Sequence, residues 1–320
     1  MLRIYYKKEQ RLAKESDISL LRTIPLNDLV WVDLQNSTVE EKVTIETYFD
    51  IKYSSVEESS EIESSSRFNE LDDELIINSN FLSLRQQEFD YCPVSIILEK
   101  GILFTYRDDD LKTFGESVKK IKSNPGAFTN GYHILLTILE TGIEQDADII
   151  EGLAKDIADL NKKLTLNRKR SDEEILLKIA SFQNYNILMR ENIVDKQRLV
   201  SSLMKSSLFP EEYMPVLRIM IKDIGSLIEH NKFAFERLEY LQNTFMGLVN
   251  IEQNRIIKIF TVATVAFMPP TLIASLYGMN FKIMPELVWD YGYLFAIALM
   301  VLSSVITLIF FKKKNCFWKT

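Results

Sequence analysis

Two long uncharged runs near the C-terminus constrain this chain more than any other feature of its sequence. No charged residue occurs from Ile259 to Phe281 or from Tyr291 to Phe311. At about 1.5 Å per helical residue, each run can cross a hydrocarbon core about 30 Å thick. Two such runs joined by a short polar loop favour membrane spans over buried helices of a soluble protein, which is the alternative.

The charges that flank the two runs predict their orientation. Arg255 and Lys258 precede the first run, and Lys312, Lys313 and Lys314 follow the second. The intervening loop, Lys282–Asp290, carries one base and two acids. The positive-inside rule therefore places both termini in the cytoplasm, in a multi-pass protein of the inner or plasma membrane. The N-terminal residues contain no apolar run, so we expect no secretory signal.

The rest of the chain is acidic, which excludes some functions. The net charge is -7, but the segment from Ile251 to Thr320 carries +4, which leaves -11 on the part before it. Such a surface is unsuited to nucleic acid, whose phosphates need basic contacts. The two cysteines, Cys92 and Cys316, cannot form a disulfide framework or a cysteine-based zinc site, and His133 and His230 offer little metal chemistry.

Enzyme motifs are missing from the sequence. No glycine precedes Gly101, and no Walker loop, dinucleotide fingerprint or nucleophile elbow occurs elsewhere. We therefore expect neither enzymatic activity nor an organic cofactor. A membrane-tethered enzyme or signalling protein and a passive scaffold remain as alternatives.

The N-terminal part of the chain predicts a sheet. Residue types and alternation indicate strands at Leu2–Tyr6, Leu29–Leu34, Glu74–Leu84, Val94–Glu99 and Ile102–Tyr106. Lys100 and Gly101 predict a hairpin between the last two strands. In Asn36–Glu41 a Ser or Thr stands three residues before a Glu, which is typical of a capping box at a helix start. The Ser- and Glu-rich segment Ser54–Ser66 predicts an exposed loop.

Beyond Asp110 apolar residues recur at helical spacing. We expect a long helix, a turn at Arg168–Asp172 with Ser171 as cap, and a second helix to about Ser206. The helical pattern resumes after Pro210 and continues into the first apolar run, which predicts one helix of about 65 residues and about 100 Å. A helix of that length needs lateral packing, so we expect an oligomer.

These patterns predict an α+β or α/β cytoplasmic domain, a long stalk helix and two C-terminal transmembrane helices. The expected divisions are a sheet-bearing part (1–125), long cytoplasmic helices (126–210), the stalk (211–255), the first span (256–281), an outer loop (282–290), the second span (291–311) and a basic cytoplasmic tail (312–320).

One face of the first span is unlike the others. This polar stripe consists mainly of small, hydroxylated or flexible residues, namely Asn254, Ile257, Thr261, Thr264, Met268, Thr271, Ser275 and Gly278. In lipid it must face either a neighbouring helix or a water-filled lumen, and both readings stay open. In a lumen, Ile257 and Phe260 predict a hydrophobic constriction and Met268 a second narrow ring. Pro269 and Pro270 are expected to free backbone carbonyls and bend the helix.

The end of the first span carries a resemblance. The residues are Tyr277-Gly278-Met279-Asn280-Phe281, followed by Met284-Pro285-Glu286-Leu287, with Phe267-Met268-Pro269 upstream and Lys312–Lys314 at the end. Together with Trp31-Val32-Asp33-Leu34, they resemble the CorA family of magnesium channels over nearly the whole chain. The resemblance implies a funnel-shaped homopentamer in the lipid bilayer, with the first span lining the pore.

The resemblance and the chemistry of magnesium agree on an ion filter at Gly278, Met279 and Asn280. Magnesium loses its inner waters reluctantly, so a filter of neutral oxygens that binds the hydrated ion avoids that cost. The Asn280 side-chain oxygen and the Gly278 carbonyl are expected to accept hydrogen bonds from those waters. Thr271, Thr264 and Asn254 are expected to add further oxygen rings. The alternative for Asn280 is a helix C-cap.

Other charged positions have candidate roles in attracting or sensing cations. Glu286 and Asp290 could concentrate cations at the outer mouth, or simply form a solvated loop. The resemblance implies gating by cytoplasmic magnesium, for which the stalk offers Asp223 as the sensing residue. Asp108, Asp109, Asp110, Asp146 and Asp148 are the alternatives. We expect a ring of Lys312, Lys313 and Lys314 to attract acidic helices near the pore exit.

The transported ion has a rival assignment. Some relatives with the same triplet move zinc, so a zinc, cobalt or nickel transporter of the same architecture is the alternative to a magnesium channel. The scarcity of Cys and His favours magnesium, because borderline-soft ions prefer those ligands.

Overall fold

The computed structural model describes residues 1–9, 11–54, 67–71, 73–85, 88–124, 126, 128–166 and 172–313. Most of the predicted loop Ser54–Ser66, the predicted cap Ser171, and both Lys314 and Cys316 lie outside these residues. The chain divides into two compact units, residues 1–241 and 242–320.

A seven-stranded mixed sheet forms the centre of the first unit. Its strands are β1 (Leu2–Lys8), β2 (Arg11–Glu15), β3 (Leu29–Gln35), β4 (Phe68–Leu71), β5 (Glu74–Arg85), β6 (Glu88–Glu99) and β7 (Ile102–Arg107). Their order is β2-β1-β3-β7-β6-β5-β4. The central pair β3 and β7 is parallel, while the other neighbouring strands are antiparallel. The described chain therefore has an α/β-type centre with antiparallel edges.

All five strands expected from the sequence form, and the differences have local causes. Strand β6 begins at Glu88, six residues before the predicted start at Val94. The prediction started the strand too late because Pro93 interrupts the sequence pattern, yet Pro93 pairs with Asn80 in the sheet. Strands β2 and β4 are short edge strands that the pattern did not reveal. In the β6–β7 hairpin, Lys100 and Gly101 have φ values of 48° and 80°, which is the geometry of a type I′ turn.

Helices cover both faces of the sheet. Helix α1 (Val39–Phe49) begins with a complete capping box: Glu41 N–H donates to Thr38 Oγ1 (3.2 Å) and Thr38 N–H donates to Glu41 Oε2 (3.0 Å). Its buried Ile45 packs in one core with side chains of β1, β3 and β7. On the opposite face lie α2 (Lys112–Ser123), α3 (Gly131–Leu166) and α4 (Asp172–Leu203), which bury a second, larger core.

A buried ionic network joins the two central strands. Asp33 on β3 accepts hydrogen bonds from Arg107 Nη2 (3.0 Å) and Thr105 Oγ1 (2.8 Å) on β7, and from Arg3 Nη1 (3.0 Å). Asp33 and the Arg107 guanidinium are fully buried. Trp31 donates its indole N–H to Thr105 Oγ1. A buried charge is tolerated when its partners surround it, so this network fixes the pairing of β3 with β7.

A second buried pair joins α3 to α4. Lys196 Nζ and Asn192 Nδ2 each donate to the Asp146 carboxylate at 2.8 Å. Burial raises the pKa of Asp146, while Lys196 and Asn192 act in the opposite direction. Asp146, an alternative sensing residue in the sequence, is thus engaged in an interhelical ion pair.

Two helices dominate the C-terminal part of the chain. Helix α5 (Met214–Tyr277) starts in the first unit and ends in the second, and α6 (Gly292–Lys313) follows it. Each contains an 18-residue apolar stretch long enough to cross a membrane, and none of the residues in either stretch is fully buried within the chain. Helix α5 begins at Met214 rather than Glu211, which lies in a 3-10 turn, and Pro215 stands in its first turn, where its missing N–H costs little.

We predict that Lys196→Ala lowers the free energy of unfolding by about 3–5 kcal/mol, because it leaves the Asp146 carboxylate buried without its ion-pair partner. Lys155→Ala is the matched control, since Lys155 pairs with Glu151 at 2.8 Å on the exposed surface of α3. The control is expected to leave stability unchanged. Chemical denaturation of the detergent-solubilised protein, followed by circular dichroism, measures both. Equal effects of the two substitutions would contradict the assignment.

Candidate ion pathway on the long helix

The polar stripe is an open face of α5. Every member, from Asn254 to Gly278, is exposed within the single chain. The residues that are half-buried in this segment lie at other positions: Val262, Val265, Ala266, Pro269, Pro270, Ile273 and Tyr277. At about 100° per residue, these two sets fall on nearly opposite sides of the helix. Helix α6 contacts the half-buried side, where Ser304 Oγ donates to the Ala266 carbonyl at 3.0 Å.

The threonine hydroxyls of the stripe are oriented by their own helix. Thr261, Thr264 and Thr271 each donate to the carbonyl four residues earlier, at 2.8, 2.9 and 2.7 Å. A hydroxyl has one hydrogen to donate and two lone pairs, so each of these oxygens keeps its capacity to accept. The open face therefore presents oxygen acceptors, which suit the water shell of a cation.

Large apolar side chains stand on or beside this face, two of them near the cytoplasmic end predicted for the span and one near its middle. Ile257 and Phe260 are 52% and 69% exposed, and Met268 is 62% exposed. Apolar groups this exposed within the chain are free to meet a lumen, a second copy or lipid. The predicted constriction residues are thus available for that role.

Helix α5 ends at Tyr277, four residues before the predicted end of the span at Phe281. The Gly278 N–H still bonds to the Ala274 carbonyl (2.9 Å), and the Met279 N–H bonds to the Leu276 carbonyl (3.3 Å). A methyl group at position 278 would lie 3.2 Å from the Ala274 oxygen, which is a tight contact. Glycine at this position lets the chain leave the helix without that contact.

Asn280 follows in an exposed, non-helical position. An asparagine that caps a helix C-terminus adopts the left-handed conformation. Among described non-glycine residues, positive φ occurs at Glu9, Asn36, Asp50 and Lys100, and not at Asn280. The capping alternative therefore lacks its backbone geometry. The structure leaves the Asn280 amide at the surface beside Gly278 and Met279.

The outer loop is fixed against the start of α6. A methyl group at position 292 would overlap the Glu286 carbonyl oxygen, so only glycine fits there. Trp289 contacts Tyr291 and Phe295, with ring centroids 6.4 and 5.7 Å apart. Aromatic rings of this kind are typical of the membrane interface. Sequence reasoning missed Gly292, because a lone glycine gives no signal of which backbone atoms approach it.

The charged positions predicted around the pathway are at the surface. Glu286 and Asp290 in the outer loop are exposed, as are Lys312 and Lys313 at the end of α6. The third member of the predicted basic ring, Lys314, lies outside the described residues.

The predicted metal-sensing carboxylates are not brought together within one chain. Asp223 on α5 is exposed, as are Asp108, Asp110 and Asp148, while Asp109 is half-buried. Asp146 is paired with Lys196. Within the described residues there is no group of three or more His, Cys, Asp or Glu side chains placed to hold a metal.

We predict that Gly292→Ala destabilises the protein, because the new methyl group displaces the Glu286 backbone from the start of α6. Gly152→Ala on α3 is the control, since a methyl group there meets nothing within 4 Å. Helix propensity makes that control more stable by up to about 1 kcal/mol. The two melting temperatures in detergent should therefore move in opposite directions. A rise for both would show that the loop does not pack as described.

Comparisons with known proteins identify the family. The family model described as CorA-like Mg2+ transporter protein matches residues 27–313. A Magnesium transport protein CorA from Wolinella succinogenes is 39% identical over 320 residues, covering 98% of this chain and 99% of that protein. The protein of the same name from Escherichia coli K12 is 34% identical over 317 residues, with the same coverage of both.

A solved structure shares the fold. It is the complete structure of CorA magnesium transporter from Methanocaldococcus jannaschii, with a TM-score of 0.80, 21% identity and coverage of 98% of this chain and 97% of that one. At this identity the likeness establishes the fold alone. The family model and the full-length relatives at 34–39% identity establish more: this chain belongs to the CorA-like Mg2+ transporter family.

Proposed function

We propose that this protein is a magnesium channel that passes the hydrated ion along the polar stripe of α5. The observation that carries the proposal is the open face of oxygen acceptors that ends at Gly278, Met279 and Asn280. Names of full-length relatives give the ion as magnesium. The elements needed for passage all lie in the part of the chain that begins at Asn254.

The open face supports assembly of several copies. In a bilayer a polar face cannot remain against hydrocarbon, so it must be covered by another helix or by water. Helix α6 occupies the opposite side of α5 in the described chain, which leaves the stripe for neighbouring copies. We propose a homopentamer in which five stripes surround one water-filled lumen, as the family resemblance implies.

The filter acts on the water shell rather than on the bare ion. Magnesium holds six waters tightly in octahedral geometry, and each bound water is a strong hydrogen-bond donor. Five Asn280 amide oxygens and the nearby Gly278 carbonyls accept those hydrogen bonds. Neutral acceptors bind weakly enough for release, whereas a ring of carboxylates would hold the ion longer.

The remaining rings guide the ion and control its passage. Thr271 and Thr264 repeat the pattern of oxygen acceptors, while Met268, Phe260 and Ile257 narrow the lumen. Apolar rings stop conduction when water leaves them, so the pair near the cytoplasmic end is the proposed gate. Glu286 and Asp290 raise the concentration of cations at the outer mouth.

The proposed topology places the N-terminal unit and both termini in the cytoplasm of a cell whose inner membrane holds the protein. Basic residues flank the two spans on one side, and a loop of low positive charge lies on the other. Transport through a passive pore follows the electrochemical gradient, so an inside-negative potential favours entry of the dication.

Cytoplasmic magnesium is proposed to close the pore by binding between subunits. No group of three or more acidic, His or Cys side chains meets to hold a metal within the described part of one chain, which supports a site shared between neighbouring subunits. Asp223 is the proposed sensing residue because it lies on the same helix as the pore, and the Lys312–Lys314 ring near the exit attracts the acidic helices.

We predict that Asn280→Ala lowers magnesium uptake by about tenfold or more, because each subunit loses a hydrogen bond of about 1 kcal/mol to the ion's water shell. Asn280→Asp should also slow uptake, through tighter binding. Asn69→Ala removes an exposed amide on the edge strand β4 and serves as the control. The measurement is uptake by proteoliposomes containing a magnesium-sensitive dye. Wild-type rates in both Asn280 variants would refute the filter.

Competition distinguishes the ions in the same assay. Zinc, cobalt and nickel are added outside the vesicles; the dye reports magnesium entry, and elemental analysis of the recovered vesicles reports the other ions. Magnesium entry without net accumulation of the other ions is expected. Preferred accumulation of zinc would favour the alternative transporter.

We predict that raising magnesium on the cytoplasmic side reduces the current in excised patches, and that Asp223→Asn weakens this inhibition. Removing one carboxylate from a shared site lowers its affinity for a divalent ion. Asp148→Asn, a substitution at an exposed alternative position on α3, is the matched comparison. Inhibition that is unchanged in Asp223→Asn but lost in Asp148→Asn would assign the sensing role to Asp148 instead of Asp223. A current that does not change when cytoplasmic magnesium is raised would refute the proposal that magnesium closes the pore.

A further inference from the structure

Ser304 on α6 forms a hydrogen bond that its neighbours do not. Ser303 Oγ donates to the Met300 carbonyl and Thr307 Oγ1 donates to the Ser303 carbonyl, both at 2.8 Å within α6. The Ser304 hydroxyl instead leaves its own helix and donates to the Ala266 carbonyl of α5 at 3.0 Å. The side chain is half-buried between the two helices.

The accepting carbonyl is one that a proline has left without a donor. In an α-helix the N–H of residue 270 would bond to the carbonyl of residue 266, but Pro270 has no N–H. The proline ring also crowds the carbonyl four residues earlier. An unsatisfied carbonyl is costly in hydrocarbon, where no water replaces the lost donor. Ser304 supplies the missing hydrogen bond from the neighbouring span.

We propose that Ser304 is a positioning residue of the pore: it holds the Pro269-Pro270 segment of α5 against α6 and thereby sets the direction of the polar stripe. The proposal rests on the proposed function, because its consequence is a change in conduction. It assigns α6, which contributes no residue to the stripe, a defined part in shaping the lumen.

The stripe residues around the prolines explain why this bond matters for conduction. Thr264, Met268 and Thr271 lie within about two turns of Pro270, on the side of α5 opposite the Ser304 contact. Prolines weaken the helix at this point, so the segments before and after them can change their relative direction. The hydrogen bond from Ser304 to the Ala266 carbonyl favours one relative direction of the two helix segments. Thr264 and Thr271 then stay aligned along the same face of α5.

Magnesium uptake by proteoliposomes tests the proposal with three variants. Ser304→Ala should reduce the initial rate by about threefold to twentyfold, the range expected for one interhelical hydrogen bond in a membrane. Ser304→Thr keeps a hydroxyl and should restore most of the rate. Ser303→Ala, which removes a hydroxyl bonded within α6, should stay near wild type. Equal rates for Ser304→Ala and Ser303→Ala would overturn the proposal.

A double-mutant cycle with Pro270→Ala separates this bond from general packing. Alanine at position 270 restores an N–H for the Ala266 carbonyl, so the loss caused by Ser304→Ala should shrink to within about twofold in that background. The same fold loss in both backgrounds would show that Ser304 acts through packing alone. If the Ser304→Ala variant does not assemble, the variant that also carries Pro270→Ala decides the question. Assembly of that double variant supports the proposal, and a double variant that does not assemble overturns it.

A measurement without transport keeps this test separate from the proposed function. The same cycle is measured as the shift in the unfolding equilibrium in dodecyl sulfate and mixed micelles, followed by circular dichroism. Coupling between positions 270 and 304 supports the bond even if the wild-type protein moves no magnesium, in which case the proposed function is the part that fails. Additive effects in unfolding reject the bond whatever the uptake shows.

Discussion

The membrane-spanning part of this protein depends on one constraint: hydrocarbon offers no hydrogen bonds, so the chain must satisfy its own polar groups there. Thr261, Thr264 and Thr271 turn their hydroxyl hydrogens onto their own helix, and Ser304 covers a carbonyl that Pro270 leaves open. After these bonds are made, what remains unsatisfied is a line of oxygen acceptors on one side of α5. The same constraint that satisfies these donors thus leaves oxygen acceptors on one face of α5, which is the basis of the path proposed for a hydrated cation.

The N-terminal unit meets a related problem in its interior. Asp33 and Arg107 are charged and fully buried at the parallel pair in the middle of the sheet, where Thr105 and Arg3 also donate hydrogen bonds to the Asp33 carboxylate. Asp146 and Lys196 repeat the arrangement between α3 and α4. The second pair engages Asp146, which the sequence analysis named as an alternative metal-sensing residue. Asp223 and Asp148, by contrast, are exposed.

Local patterns predicted much of the fold. Five strands, the capping box at Thr38, the hairpin at Gly101 and the long helix through the first span all follow from periodicity and turn chemistry, which act over a few residues. The pattern failed at Pro93, which sits inside a strand, and at the edge strands β2 and β4, whose short segments carry little signal. It also left the role of Asn280 open, since only the backbone conformation at that residue separates a cap from an exposed amide.

The sequence by itself determined the two spans, the polar stripe and the triplet that ends it, because length, charge and helical spacing are properties of contiguous residues. Tertiary structure decided which groups remain available for function. Lys196 donates a hydrogen bond to Asp146, 50 positions away in the sequence, and Ser304 donates one to the Ala266 carbonyl, 38 positions away. The Glu286 backbone leaves room only for glycine at position 292. Partners so distant, or contacts made only by a folded loop, leave no periodic trace in a single sequence, so packing alone reveals them.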